Sequence, residues 1–257
     1  MESLKMSENY EERKLRRRAL QVILHSLSCS FISDANLKDL QIRKEFMSLE
    51  KEDHKPLYFE PYGAPIQPPV TDTISDYYPT LYESPFRNAK SLAWYLNEYF
   101  RHCVLPEQEQ DPPGSLYTGF KGLDFGLLAD RFEEPRWQVK AAWTTRIPGI
   151  PHLKALMYSS AIGNPDGLFH AELQVIIRLM YGRLKTKSLR PHVVIPVLLF
   201  SVVGMHHIRV LEGYFAHGKL TIRVTKLYDL EEQNHELLIQ FARWWLGHPG
   251  DKPTKED

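Results

Sequence analysis

Apolar and polar positions alternate along this chain with two distinct periods, and the elements follow from them. In residues 11–27, Leu15, Ala19, Val22, Ile23 and Leu27 recur on one helical face behind a charged one. Residues 88–105 repeat that spacing with Leu92, Tyr95, Leu96, Tyr99 and Phe100, and Glu98 falls on a neighbouring face. A third helix is predicted over 168–184, with Leu173, Ile176, Ile177, Met180 and Leu184 on its stripe, and a fourth over 231–246. Strands are predicted over 116–129, 136–145, 192–203, 206–215 and 219–228. The turn-like stretch 130–135 separates the first two. Ala216-His217-Gly218-Lys219 closes the last two into a hairpin, with Gly218 supplying a positive φ. Residues 148–167 read as irregular. Helix, strand, strand, helix, strand, hairpin, helix is the order of an α/β (α+β) domain with a mixed central sheet flanked by helices.

Residues 55–85 break the pattern. Pro56, Pro61, Pro65, Pro68, Pro69, Pro79 and Pro85 forbid a long helix or a central strand there, and the interspersed tyrosines predict an extended arm that packs aromatics on the core. The chain divides into a helix and Pro/Tyr-rich arm (1–87), a single α/β core (88–248) and a frayed tail (249–257). The longest apolar run, 193–205, is too short to span a bilayer and reads as a buried strand, so no membrane association is expected.

Composition narrows the chemistry. The 257 residues carry 32 basic and 32 acidic side chains, so no global positive field draws nucleic acid, and a polyanion partner requires a local patch. The basic cluster at Arg13, Lys14, Arg16, Arg17 and Arg18 is either a solvated helix face, a phosphate contact or an import signal. Cys29 and Cys103 are too few for a disulfide scaffold or a cysteine-based zinc site and fit a reducing, intracellular compartment, cytoplasm or nucleus. No secretory signal is expected from the charged N-terminal segment. The phosphate-binding, dinucleotide-binding and nucleophile-elbow motifs are all missing.

One constellation carries chemistry. Asp124 lies in the first predicted strand, and Gln138 and Lys140 lie two apart on the next, hence on one face. A carboxylate and a second oxygen on adjacent strands can hold Mg²⁺, and a lysine beside them can orient a water and stabilise developing phosphorane charge. Such an assembly hydrolyses phosphodiesters. The alternatives are an inter-strand Asp124–Lys140 ion pair and a solvent-facing Gln138.

Element order and these residues together resemble the restriction-endonuclease-like, or PD-(D/E)XK, superfamily, and more narrowly its fungal members. In that fold a helix with an acidic residue precedes a strand with an Asp, then a strand with an acidic residue, any residue and Lys, then a helix. The resemblance covers residues 88–229. It implies Asp124 as the main metal ligand, Gln138 as a second ligand, Lys140 as the water-orienting group and Glu98 as an auxiliary acid. Gln174 and Tyr181 would sit on the following helix, where they otherwise serve packing. Leu123 replaces the motif proline. Gln138 replaces the acidic ligand, which lowers Mg²⁺ affinity unless Asp130, Glu133, Glu134 or Glu172 assists. The function implied is a weak or lapsed Mg²⁺-dependent nucleic-acid phosphodiesterase; the alternative is a non-catalytic interaction or accessory protein, such as a fungal pathway-associated factor, with a protein partner.

Two histidine motifs carry less. His170-Ala171-Glu172 matches half of a zinc deaminase signature, but no cysteine follows it. His206 and His207, near Arg209, Glu212 and His217, suggest a metal, yet neighbours on a strand point to opposite faces and require a bulge to converge. The final helix, with Trp244 and Trp245, either closes the core or docks a partner chain.

Overall fold

The computed structural model describes residues 2–70, 77–106, 116–117, 125–145, 147–162 and 166–255. The helices are α1 (Glu2–Ser26), α2 (Asp34–Asp39), α3 (Pro85–His102), α4 (His170–Lys185) and α5 (His235–Leu246). The strands are β1 (Phe31–Ser33), β2 (Ile42–Phe46), β3 (Phe59–Glu60), β4 (Leu116–Tyr117), β5 (Ala129–Asp130), β6 (Trp137–Thr144) and β7 (Leu153–Ser159). They continue with β8 (Gly167–Phe169), β9 (Val197–Val203), β10 (His207–Ala216), β11 (Lys219–Val224), β12 (Tyr228–Asp229) and β13 (His248–Pro249).

The expected mixed sheet is present. Its described path runs β2-β11-β10-β9-β7-β6-β4, with β5 also on β6 and β12 also on β10. β7 and β9 run parallel, as do β2 and β11; the other described pairs are antiparallel. Antiparallel neighbours need only tight turns, whereas the parallel β7–β9 pair needs a crossover, which α4 supplies. One face of the sheet is covered by α3, α5 and the arm, in a cluster that includes Tyr58, Phe59, Tyr99, Phe100, Phe200 and Trp245. The other face is covered by α1 and α4, through Leu20, Ile23, Leu173, Ile176 and Ile177. The α5 tryptophans therefore close the core: Trp245 is fully buried and stacks on Phe100, with centroids 5.6 Å apart. No described helix is long and apolar enough to cross a membrane.

Four local expectations are corrected. Residues 148–167 contain β7, a central strand. Its neighbours cover both faces, so it shows an unbroken run of buried residues instead of alternation, and the buried Lys154 breaks its apolar pattern. The strand expected over 116–129 is present as β4 and β5, paired to opposite ends of β6. On α1, Leu15 and Val22 are exposed and Arg13 and Arg16 are buried. Arg13 donates to the carbonyls of Arg183, Leu184, Thr186, Leu189 and His192, just where α4 ends and its carbonyls lack helical partners. Arg13 is thus an internal helix cap, and Arg16 donates to the Phe215 carbonyl of β10 at 2.6 Å. The tail, expected to fray, is docked: β13 pairs with β3, and the Thr254 carbonyl accepts from the amides of Val193 and Val194 at 2.9 and 3.0 Å. Gly247 permits this, since a Cβ there would stand 2.0 Å from the Glu60 carbonyl oxygen.

The arm packs Tyr58, Phe59 and Tyr62 into the core, whereas its later tyrosines Tyr77 and Tyr82 are exposed. At the β10–β11 hairpin both His217 (φ 49°) and Gly218 (φ 72°) are left-handed, which matches the primed turn that twisted hairpins favour.

Candidate functional site

Register defines the geometry. At one end of the sheet Asp130, Trp137, Ser159, Val203, His207 and Asp229 form a single row across β5, β6, β7, β9, β10 and β12. This end carries Asp130, His207 and Asp229, and Gln138 and Lys140 lie beside it on β6.

Asp124 lies outside the described residues. Gln138 and Lys140 both face α3. The register of β6 against β7 slips between Val139 and Ala141, so Lys140 is the extra residue of a β-bulge. Gln138 Oε1 accepts from both Nε (2.9 Å) and Nη2 of Arg131 and from the Tyr158 hydroxyl at 2.6 Å. An amide oxygen has two lone pairs, so three donors saturate it. Arg131 also places a guanidinium against the oxygen that Mg²⁺ would approach. Gln138 is therefore not free to be the metal ligand proposed above. Lys140 Nζ lies 5.5 Å from the Trp94 ring centroid on α3, a cation–π contact. Glu98 stands one helical turn beyond Trp94 and takes hydrogen bonds from Asn97 (2.8 Å) and Arg101 (3.4 Å). Lys140 and Glu98 thus reach the same side of the sheet.

Three of the four carboxylates suggested as helpers, Asp130, Glu134 and Glu172, already have partners. Asp130 Oδ1 accepts the amides of Phe132 and Glu133 at 3.1 and 3.2 Å. Glu134 accepts from the Ser160 hydroxyl at 2.5 Å and pairs with Arg136 at 2.8 Å, and the Ser160 bond first holds its pKa below the ordinary value. Glu172 is fully buried, takes the Phe169 amide at the start of α4 and is gripped by Arg209 through Nε (2.8 Å) and Nη2 (2.5 Å). It can neither help a metal nor shuttle protons. The element order also departs from the resemblance: the last strand of the central sheet before α4 is β7, not the Gln138–Lys140 strand, and the short β8 of the separate β1–β8 pair lies between β7 and α4. The lysine of β7, Lys154, is sealed at the other end of the sheet.

On α4, Gln174 Nε2 contacts His170 Nε2 at 2.8 Å, while the Tyr181 hydroxyl accepts from Gln21 of α1 at 3.1 Å. The two side chains serve helix contacts with different neighbours. Along α3, Tyr77, Tyr82, Arg87, Lys90, Trp94 and Glu98 line a groove of about 460 Å³. Trp94 is 56% exposed, and the Arg87 guanidinium lies 4.8 Å from the Tyr82 centroid.

The second polar group on this end contradicts the strand argument. His206 ends the turn after β9, so the period of two does not apply to it, and its ring lies 4.4 Å from that of His207. His207 and Asp229 are direct cross-strand partners. The donor atoms of His206, His207 and Asp229 all lie within 4.8 Å of one another. Burial, then the adjacent His206, hold the His207 pKa below its ordinary value. The adjacent histidines were visible in the sequence. Their convergence depends on where the turn ends and on the pairing of β12, which no local pattern reports.

Comparison with family models, with curated proteins and with solved structures finds no match for this chain.

Proposed function

We propose that this chain is a restriction-endonuclease-like protein in which the Mg²⁺-dependent phosphodiesterase position has lapsed, and that it acts as a non-catalytic accessory protein binding single-stranded nucleic acid. The fold part of the reading is supported by helix α3, an antiparallel run through β5, β6 and β7, crossover helix α4 and a returning parallel β9. The single observation that carries the loss of activity is Arg131 on Gln138 Oε1: a fixed positive charge and two donors occupy the oxygen that a metal would need. Restoring an acidic ligand by Gln138→Glu would give Arg131 a salt-bridge partner before it gave Mg²⁺ a ligand.

The α3 groove supports the binding part. Exposed rings at Trp94 and Tyr82, each beside a cation, are the combination that stacks unpaired bases while holding their phosphates. With Arg87, Lys90 and Lys140 around Glu98, the patch is locally basic on a chain whose net charge is zero.

Cleavage and binding of labelled single- and double-stranded DNA and RNA test both parts. The expected result is no Mg²⁺- or Mn²⁺-dependent cleavage by wild type or Gln138→Glu, and salt-sensitive binding of single strands that Trp94→Ala weakens about tenfold, a stacked base being worth roughly 1–3 kcal/mol. Metal-dependent cleavage abolished by Lys140→Ala would overturn the lapsed-site reading. Failure to bind any strand would overturn the nucleic-acid reading and point to a protein partner.

A further inference from the structure

We infer that His206, His207 and Asp229 form a binding site for one zinc-class divalent cation, separate from the lapsed Mg²⁺ position and independent of the reading above. Three strand steps separate it from that position. Trp137 and His207 lie in the same row three strands apart, so their backbones are about 14 Å from each other at the usual inter-strand spacing.

The backbone brings the three donors together before any metal arrives. His207 and Asp229 face each other across the β10–β12 ladder, and the His206 carbonyl accepts the Leu230 amide at 2.9 Å, which ties the turn to the same segment. His206 Nε2 is 3.7 Å from Asp229 Oδ1. Tetrahedral zinc with bonds of 2.0–2.1 Å needs its ligand atoms about 3.3 Å apart, so this pair is close and the widest separation closes by side-chain rotation. Two imidazole nitrogens and one carboxylate oxygen suit zinc and the later first-row ions. Mg²⁺, which prefers an all-oxygen shell, is disfavoured.

The surroundings fit the same assignment. His206 Nδ1 is buried without a hydrogen-bond partner, and the nearest acidic oxygen, Glu231 Oε2, lies 4.0 Å away. With Nε2 on the metal, Nδ1–H points toward that carboxylate, the arrangement in which an acidic neighbour orients a ligating imidazole. Asp229 and Glu231 together balance the charge of a divalent ion. Three protein ligands leave one position for water.

The test uses the full chain without a histidine tag, titrated calorimetrically with Zn²⁺ and, in parallel, with Mg²⁺. Wild type should take up one Zn²⁺ and no Mg²⁺ at this site, and its Co²⁺ form should show the intense visible absorption of a tetrahedral site. His207→Asn and Asp229→Asn should each weaken Zn²⁺ binding by at least about 100-fold, and Glu231→Gln by about 10-fold. Absence of stoichiometric Zn²⁺ uptake by wild type would overturn the inference. So would uptake undiminished in the His206→Asn/His207→Asn double variant, since nine of the 11 histidines then remain to account for it. A Co²⁺ spectrum showing only weak octahedral bands would overturn it on the wild-type protein alone.

Discussion

The two ends of the central sheet use charged side chains in opposite ways. At the end described above, side chains line an edge open to solvent, and in the His206–His207–Asp229 cluster His206 Nδ1 has no hydrogen-bond partner, while Asp229 Oδ1 accepts the Glu231 amide at 2.8 Å. At the other end the row Trp143, Lys154, Leu198, Glu212, Arg223 and Glu45 carries four charged side chains, of which Lys154, Glu212 and Arg223 are buried and bonded to backbone. Lys154 donates to the carbonyls of Trp245 and Gly247 at 2.8 and 2.6 Å, capping the end of α5. Glu212 accepts the arm's Leu57 and Tyr58 amides at 2.8 and 2.7 Å, and Arg223 donates to the Lys55 carbonyl at 2.6 Å and to Glu212 at 3.2 Å. The difference teaches that a charged residue on a strand is informative about ligand binding only when its lone pairs or protons are not already committed. The closed end binds the chain to itself.

Breaking the closed end should have the largest effect. Glu212→Ala leaves a buried guanidinium and two arm amides without their acceptor, so a loss of about 3–5 kcal/mol is expected in urea unfolding, with proteolysis opening the arm near residue 57. The next effect is pH dependence. Burial first, then the charges of His192 and Lys154, push the His152 pKa down to about 3 from the usual 6.5. The folded state resists a proton that the unfolded chain accepts, so stability is full above pH 6.5 and falls as the pH drops toward 3. At pH 4.5 this group costs on the order of 3 kcal/mol, and His152→Phe should flatten that limb of the stability–pH curve. Lys154, pushed by burial down to about 7, acts in a higher window: the unfolded chain holds the extra proton between pH 7 and 10.5, so stability rises across it. Lys154→Met should remove that rise.

At the open end the effects on stability shrink. His206→Asn/His207→Asn should leave metal-free unfolding within about 0.5 kcal/mol of wild type, and only the wild type should gain Tm on adding Zn²⁺. Lys140→Ala removes a partly exposed cation–π contact and should cost about 0.5–1 kcal/mol in urea unfolding. A larger loss would mean that the open end is also structural and would dissolve the contrast.

Much of the fold was legible because its signals are local. The helical faces of α3 and α4, the β10–β11 turn and the apolar run of β9 each depend on a period or a turn residue. What escaped depends on distant partners. β7 lacks alternation because both of its faces are covered, and Arg13 looks like surface charge until α4 ends beneath it. The tail looks frayed until β3 pairs with it. The site was less legible still. Gln138 and Lys140 share a face as alternation requires, but nothing near them in sequence says that Arg131 and Tyr158 converge on the amide oxygen. The rule that separates adjacent strand residues failed for His206 because the turn, not the strand, owns it.

The clamp between the arm and Glu212 also sets an order of events during synthesis. Leu57 and Glu212 are 155 residues apart. At 5–20 residues per second the arm's amides emerge roughly 10–30 s before their acceptor is made. The aromatic segment must stay uncommitted through the whole time that β6, β7, α4 and β9 are being translated. Assembly of the arm is therefore a late step, gated by completion of the β10–β11 hairpin, and a nascent chain stalled before residue 212 would present Tyr58, Phe59 and Tyr62 to chaperones.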